Sequence, residues 1–192
     1  MIMTRKNKFR FALMAAFVAT LMLMTVATIN LSSPSSEADG ASWTVSTEAD
    51  LRSALMGAGD SDTIYIVGVS TITLPGMIEF SATNITIDGG DGVTVTKDPS
   101  ADFRLLNSTA SSGTLTLKGL TFENGLTTGA TTDFSGGAVR ANGAVYAESC
   151  VFKNNISGNT GGALYAGNTT TLVDCVFTNN ESRLSGAGAY VN

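Results

Sequence analysis

A chain of 192 residues, 43% apolar but only 7% aromatic and carrying 21 glycines, is long enough for one domain with a real core and suits tight turns better than a thick globular interior. Sixteen acidic residues against 11 basic ones repel phosphate backbones and anionic lipid, so nucleic acid is not an expected partner. No histidine occurs, which removes the usual activator of a Ser or Cys nucleophile and the His-dependent glycoside hydrolases, and no motif calls for a cofactor or a metal.

Arg5, Lys6, Lys8 and Arg10 precede an uncharged run from Phe11 to Ile29, the pattern of a secretory signal. Small-residue cleavage sites follow Ala27 and Ala38, and the run is nearly long enough to stay as an uncleaved anchor; otherwise the mature domain does not enter a membrane. Residues 1–38 are therefore assigned to the signal and the start of a Ser-rich linker. Removing them leaves seven basic against 15 acidic residues, a net charge of −8, in an exported, cell-surface, outer-membrane or extracellular protein.

Residues 39–62 read as an N-terminal cap. Trp43 and Val45 open it, and Thr47 is placed to cap a short helix with Leu51, Ala54 and Leu55 on one face and Gly57 or Gly59 at its end. From residue 63 onward the period changes to two. Ile64 and Ile66, Ile72 and Leu74, Ile78 and Phe80, Ile85 and Ile87, and Val93 and Val95 each mark a short strand with two side chains turned the same way. Leu115 and Leu117 repeat Ile85 and Ile87 after 30 residues, and Val145 and Ala147 repeat them again after 30. Extra residues fall in turns, above all in Leu126 to Ser135, expected to protrude as a loop.

The last third of the chain is written almost twice and begun a third time. GGAVRANGAVYAESCVFKNNISGNT is followed by GGALYAGNTTTLVDCVFTNNESRLS and then by GAGAYVN. Gly136, Gly161 and Gly186 are 25 apart, as are Cys150 and Cys175, and Phe152 and Phe177. A fixed period of this size marks a solenoid whose units bury their apolar faces on one another. Three short strands with turns fill one period, so the expected fold is all-β, a parallel β-helix over residues 63–192 with like residues in ladders: Phe122, Phe152 and Phe177; Cys150 and Cys175; Asn124, Asn154 and Asn179. Asn192 falls inside the first strand of a new unit, so the helix is expected to continue in a longer protein.

Gly136-Gly137-Ala138-Val139 and Gly161-Gly162-Ala163-Leu164 alternate with Phe152-Lys153-Asn154-Asn155 and Phe177-Thr178-Asn179-Asn180. In these GGA-apolar and F-x-x-N motifs the chain resembles the polymorphic outer membrane proteins. The third copies depart from the pattern, with Ala187 in place of the second Gly and Gly125 in place of the last Asn. The resemblance covers about the last third of the chain and implies a right-handed β-helix on a cell surface, serving adhesion.

The candidate sites are few. The Asn ladder is read as structural, each amide satisfying its turn and bonding to its copy. The cysteines are read as two buried free thiols, with a bridge between stacked neighbours as the alternative. Arg140, Tyr165 and Tyr190 align just after inward apolar residues, so alternation turns them outward as an exposed stripe able to stack on sugar rings or on a partner's side chains. That stripe is the best surface for a host-cell, glycan or protein ligand. The rival classes are a calcium-dependent pectate-type lyase, drawing on Asp88, Asp91, Glu148, Asp174 and Lys118, and a purely structural spacer. Asn-x-Ser/Thr sequons stand at Asn84, Asn107, Asn155, Asn168 and Asn180.

Overall fold

A computed structural model describes residues 40–192. The expected signal, its cleavage sites and the linker lie outside the described residues. Strand β1 (Ser42–Val45) leads into helix α1 (Glu48–Gly57), followed by β2 (Thr63–Ile66), β3 (Thr71–Leu74), β4 (Ile78–Phe80), β5 (Thr86–Lys97), β6 (Leu106–Ser108) and β7 (Thr114–Glu123). Shorter strands then recur: β8 (Leu126–Thr127), β9 (Val139–Ala141), β10 (Ala144–Glu148), β11 (Val151–Lys153), β12 (Ile156–Ser157) and β13 (Leu164–Ala166). The last four are β14 (Thr170–Val173), β15 (Val176–Thr178), β16 (Glu181–Ser182) and β17 (Ala189–Val191). Among the described residues no helix is long and apolar enough to cross a membrane.

Among the described residues the fold is all-β apart from α1 and a single 3-10 turn at Thr132–Phe134, and every strand pairing is parallel. Three sheets form. The largest has nine strands, with β1-β2-β5-β7-β10-β14 along one path, β3 joined to β5, β11 joined to β7 and β15 joined to β11; the others run β4-β6-β9-β13-β17 and β8-β12-β16. From β10 the chain passes through the sheets in one fixed order and then repeats it from β14. Each residue pairs with its equivalent 25 positions on: Val145 with Thr170, Phe152 with Phe177, Ile156 with Glu181, Leu164 with Ala189. Earlier spacings vary: 23 for Ile64 with Ile87, 30 for Ile87 with Leu117 and Leu115 with Val145, and 33 for Leu106 with Val139.

Parallel register places like on like, and the core is built from those columns. Phe122, Phe152 and Phe177 stack at centroid distances of 5.3 and 4.8 Å with ring planes 18° and 7° apart. Phe122 and Phe152 are fully buried, and the alternating Ile, Leu and Val pairs of β2 to β5 complete the interior. The corners are columns too. Gly119, Ser149 and Asp174 adopt φ of 56°, 53° and 51°, and Asn124, Asn154 and Asn179 adopt 65°, 55° and 53°, left-handed conformations in which Gly and Asn cost least. Gly136, Gly161 and Gly186, the first Gly of each GGA copy, have φ of 72°, 64° and 67°. The second Gly answers a different constraint: a Cβ on Gly137 would run into Gly162 O, and one on Gly162 into Ala187 O, because neighbouring backbones lie directly against it.

The expected helix forms as read. Thr47 Oγ1 accepts the Asp50 N–H at 3.1 Å, Leu51, Ala54 and Leu55 are buried, and α1 packs on β1 to β4, with the Arg52 guanidinium donating to Met77 O and Gly76 O at 3.0 and 2.9 Å. Leu126–Ser135 differs from the expected plain loop. Its first two residues are β8, paired with β12, and its end is a 3-10 turn tied down by Thr127 Oγ1 and Ser157 Oγ, which donate to Phe134 O at 2.6 and 2.8 Å. Two donors aimed at one carbonyl hold it against the sheet.

Phe152→Ala removes a ring packed on both faces and should cost about 3–5 kcal/mol in urea unfolding, with Phe177→Ala, partly exposed on one side, costing less. Asp62 supplies a pH test. Burial raises its pKa, but the Trp43 indole N–H (2.8 Å) and the amides of Gly59 (2.9 Å) and Ala41 (2.6 Å) outweigh it, and the net shift is downward. A depressed folded pKa means stability that is present above the unfolded carboxyl value of about 3.9 and lost as pH falls through the folded one. Fluorescence of Trp43, the single tryptophan, should change on acidification below about pH 4, and Asp62→Asn should abolish that transition.

Candidate functional site

The residues at the centre of each strand in the five-stranded sheet form one file across it: Glu79, Asn107, Arg140, Tyr165 and Tyr190, paired in that order. Their neighbours Ile78, Leu106, Val139 and Leu164 point into the core, and alternation turns the file to the opposite face. Arg140, Tyr165 and Tyr190 therefore align as the repeat requires. The Arg140 guanidinium lies 5.7 Å from the Tyr165 ring centroid, and the two tyrosine rings stack 6.0 Å apart at 11°.

Exposure along the file differs from the expectation of an open stripe. Tyr165 is only 9% exposed, and Arg140 and Tyr190 are half-buried. The cause is the stacking itself: one face of Tyr165 meets Arg140 and the other meets Tyr190, leaving no free face for a sugar ring.

The repeat pattern did not single out Glu79 and Asn107 within this file, nor Arg104 and Asp133 beside it. Asn107 Nδ2 donates to Glu79 Oε2 at 2.7 Å. The Arg104 guanidinium, buried beside β6, donates to Ser135 O at 2.7 Å and to Asp133 O, so it pins the 3-10 turn. Burial, with the Arg140 cation next to it, pushes the Arg104 pKa down to about 10, partly opposed by Asp133 and Glu79. The Asp133 carboxylate lies 4.0 Å from Arg140 with its side chain 83% exposed, a weak ion pair. Asn107 Oδ1 and Arg140 Nε are both buried and have no hydrogen-bond partner among the described residues. Irregular spacing hid these groups: Glu79, Asn107 and Arg140 are 28 and 33 apart, against 25 for the pair that follows.

The other candidates are structural in their surroundings. Cys150 and Cys175 are free thiols, the first buried with its pKa pushed up to about 11, chiefly by burial. Asn124, Asn154 and Asn179 hold the left-handed corners, but their ladder is loose: Asn179 Nδ2 reaches Asn154 Oδ1 at 3.4 Å, and Asn124 Nδ2 bonds Thr96 Oγ1 at 3.2 Å instead. The backbone-satisfying amides stand one residue later. Asn155, fully buried, donates to Phe122 O (3.0 Å) and Asn180 Oδ1 (3.0 Å) and accepts from Gly125 N (2.8 Å), while Asn180 donates to Phe152 O at 2.8 Å. At the equivalent place in the first copy a Cβ on Gly125 would strike Gly137 O, which accounts for its departure from the motif.

The acidic residues are dispersed. Asp88 Oδ1 accepts the Gly90 N–H at 2.8 Å within its own turn, and Glu148 lies 3.5 Å from Lys118. Among the described residues no three His, Cys, Asp or Glu side chains gather where they could hold a metal ion. No protein-family model, curated protein or solved structure gives a significant match to the chain.

Asn155→Ala strands the Gly125 N–H and the Phe122 C=O in the interior and should cost about 1–3 kcal/mol by urea unfolding. Asn154→Gly, at an exposed corner whose left-handed φ glycine adopts freely, should change stability by no more than about 0.5 kcal/mol.

Proposed function

We propose that residues 40–192 are a right-handed parallel β-helix of the GGA-apolar and F-x-x-N repeat family, carried on an exported chain, whose service is to hold a rigid non-catalytic binding surface outside the cell. The observation that carries this reading is the register. Equivalent residues meet strand on strand through three parallel sheets, so outward side chains fall into fixed files rather than converging in a cleft. Right-handedness follows from the strong bias of parallel crossover connections. The repeat motifs and the basic, signal-like N-terminus support export and surface display, with an adhesin role for the file Glu79 to Tyr190. Its ligand would be a glycan or a protein surface on a host cell.

A lyase is favoured less, because its carboxylates are spread over separate turns and strands: Asp88 is engaged in a turn and Glu148 beside a lysine. A structural spacer would share the whole architecture and differ only in having no ligand.

Tyr165→Phe with Tyr190→Phe keeps the stacked rings and removes only the phenolic hydroxyls. Attachment of the purified chain to host cells should fall at least about tenfold, the size of one lost polar contact, with the thermal midpoint unchanged. Equal attachment by the variant removes the file from the reading, and no attachment by the unaltered chain leaves the spacer. Calcium-dependent release of unsaturated uronate from polygalacturonate would establish the lyase instead.

A further inference from the structure

We infer that Asn107 and Arg140 form a subsite for a hydroxyl group of a neutral saccharide, an inference that rests on reading the file Glu79 to Tyr190 as the binding surface. Two unpartnered buried atoms lead to it: an acceptor, Asn107 Oδ1, and a donor, Arg140 Nε. They belong to directly paired residues on adjacent parallel strands, whose backbones lie about 4.8 Å apart. Asn107 is 93% buried by its 7% exposure, and the Arg140 side chain is 18% exposed.

The amide cannot simply turn over to remove the problem. Asn107 Nδ2 donates to the Glu79 carboxylate at 2.7 Å, and the reverse orientation would set the amide oxygen against that carboxylate. Glu79 therefore fixes which end of the amide faces outward from the pair. The guanidinium is held in turn by the Tyr165 ring at 5.7 Å and by Asp133 at 4.0 Å.

An acceptor beside a donor selects the ligand by elimination. A carboxylate or phosphate oxygen could take the Arg140 Nε–H, but it would face Asn107 Oδ1 with no proton to give and would meet the negative charge of Glu79. An ammonium group could serve Oδ1 but would be repelled by Arg140 and by the neighbouring Arg104. A hydroxyl both accepts and donates, and a neutral saccharide supplies several in a row, with the phenols of Tyr165 and Tyr190 continuing the same file. Neither atom meets solvent in this structure, so a hydroxyl reaches them only after the side chains around the pair shift.

The test uses the full chain and follows the Arg140 Nε–H signal by nitrogen-edited NMR during titration with neutral gluco-, manno- and galacto-oligosaccharides, and separately with polygalacturonate. At least one neutral oligosaccharide should shift that signal saturably, with polygalacturonate leaving it in place. Arg140→Lys keeps a cation over Tyr165 but loses the Nε–H, and should weaken binding of the same oligosaccharide at least about tenfold. A signal unmoved by every neutral oligosaccharide, a shift produced by polygalacturonate alone, or full affinity in Arg140→Lys would each overturn the inference. If the chain still attaches to host cells in that event, only the saccharide subsite fails; if attachment is absent too, the adhesive reading fails with it.

Discussion

Parallel, in-register pairing between equivalent residues is the constraint on which the rest depends. Hydrogen bonds run from each strand to its counterpart one repeat away, so no strand is satisfied within its own repeat. Side chains obey the same rule. Phe122, Phe152 and Phe177 meet face to face, and the aliphatic pairs of the early strands lie over their counterparts. A shift of one residue would turn every core side chain outward at once, so the packing and the register enforce each other.

The same stacking shapes the surface. Identical charges in register would repel, and the charged residues paired across neighbouring strands are opposite: Glu148 with Lys118 and Lys153 with Glu123. In the file from Glu79 to Tyr190 the side chains satisfy one another first. Arg140 and the two tyrosines occupy each other's faces, and Glu79 takes the Asn107 amide. What this leaves unpaired, one acceptor and one donor, is what distinguishes the file from an ordinary sheet surface.

Much of this was legible in the sequence because period and register are the same fact seen twice. The alternating pairs, the Thr47-capped helix, the phenylalanine column and the alignment of Arg140 with Tyr165 and Tyr190 all follow from spacing. Spacing says which residues share a column but not how much each covers its neighbour, and so Tyr165 is far more enclosed than alternation alone implies. Nor does it say which of two adjacent asparagines turns inward: Asn154 takes the corner and Asn155 the interior. Glu79 and Asn107 escaped because the early repeats vary in length, and only the strand pairing restores the column they share with Arg140; Arg104 escaped because it lies outside the strands.

The register itself is open to direct observation by nuclear Overhauser contacts between protons on neighbouring strands. The account predicts cross-peaks linking Phe122 to Phe152 and Phe152 to Phe177, together with contacts between Val151 and Val176 and between Leu164 and Ala189. Contacts displaced by one residue, or antiparallel in order, would contradict it.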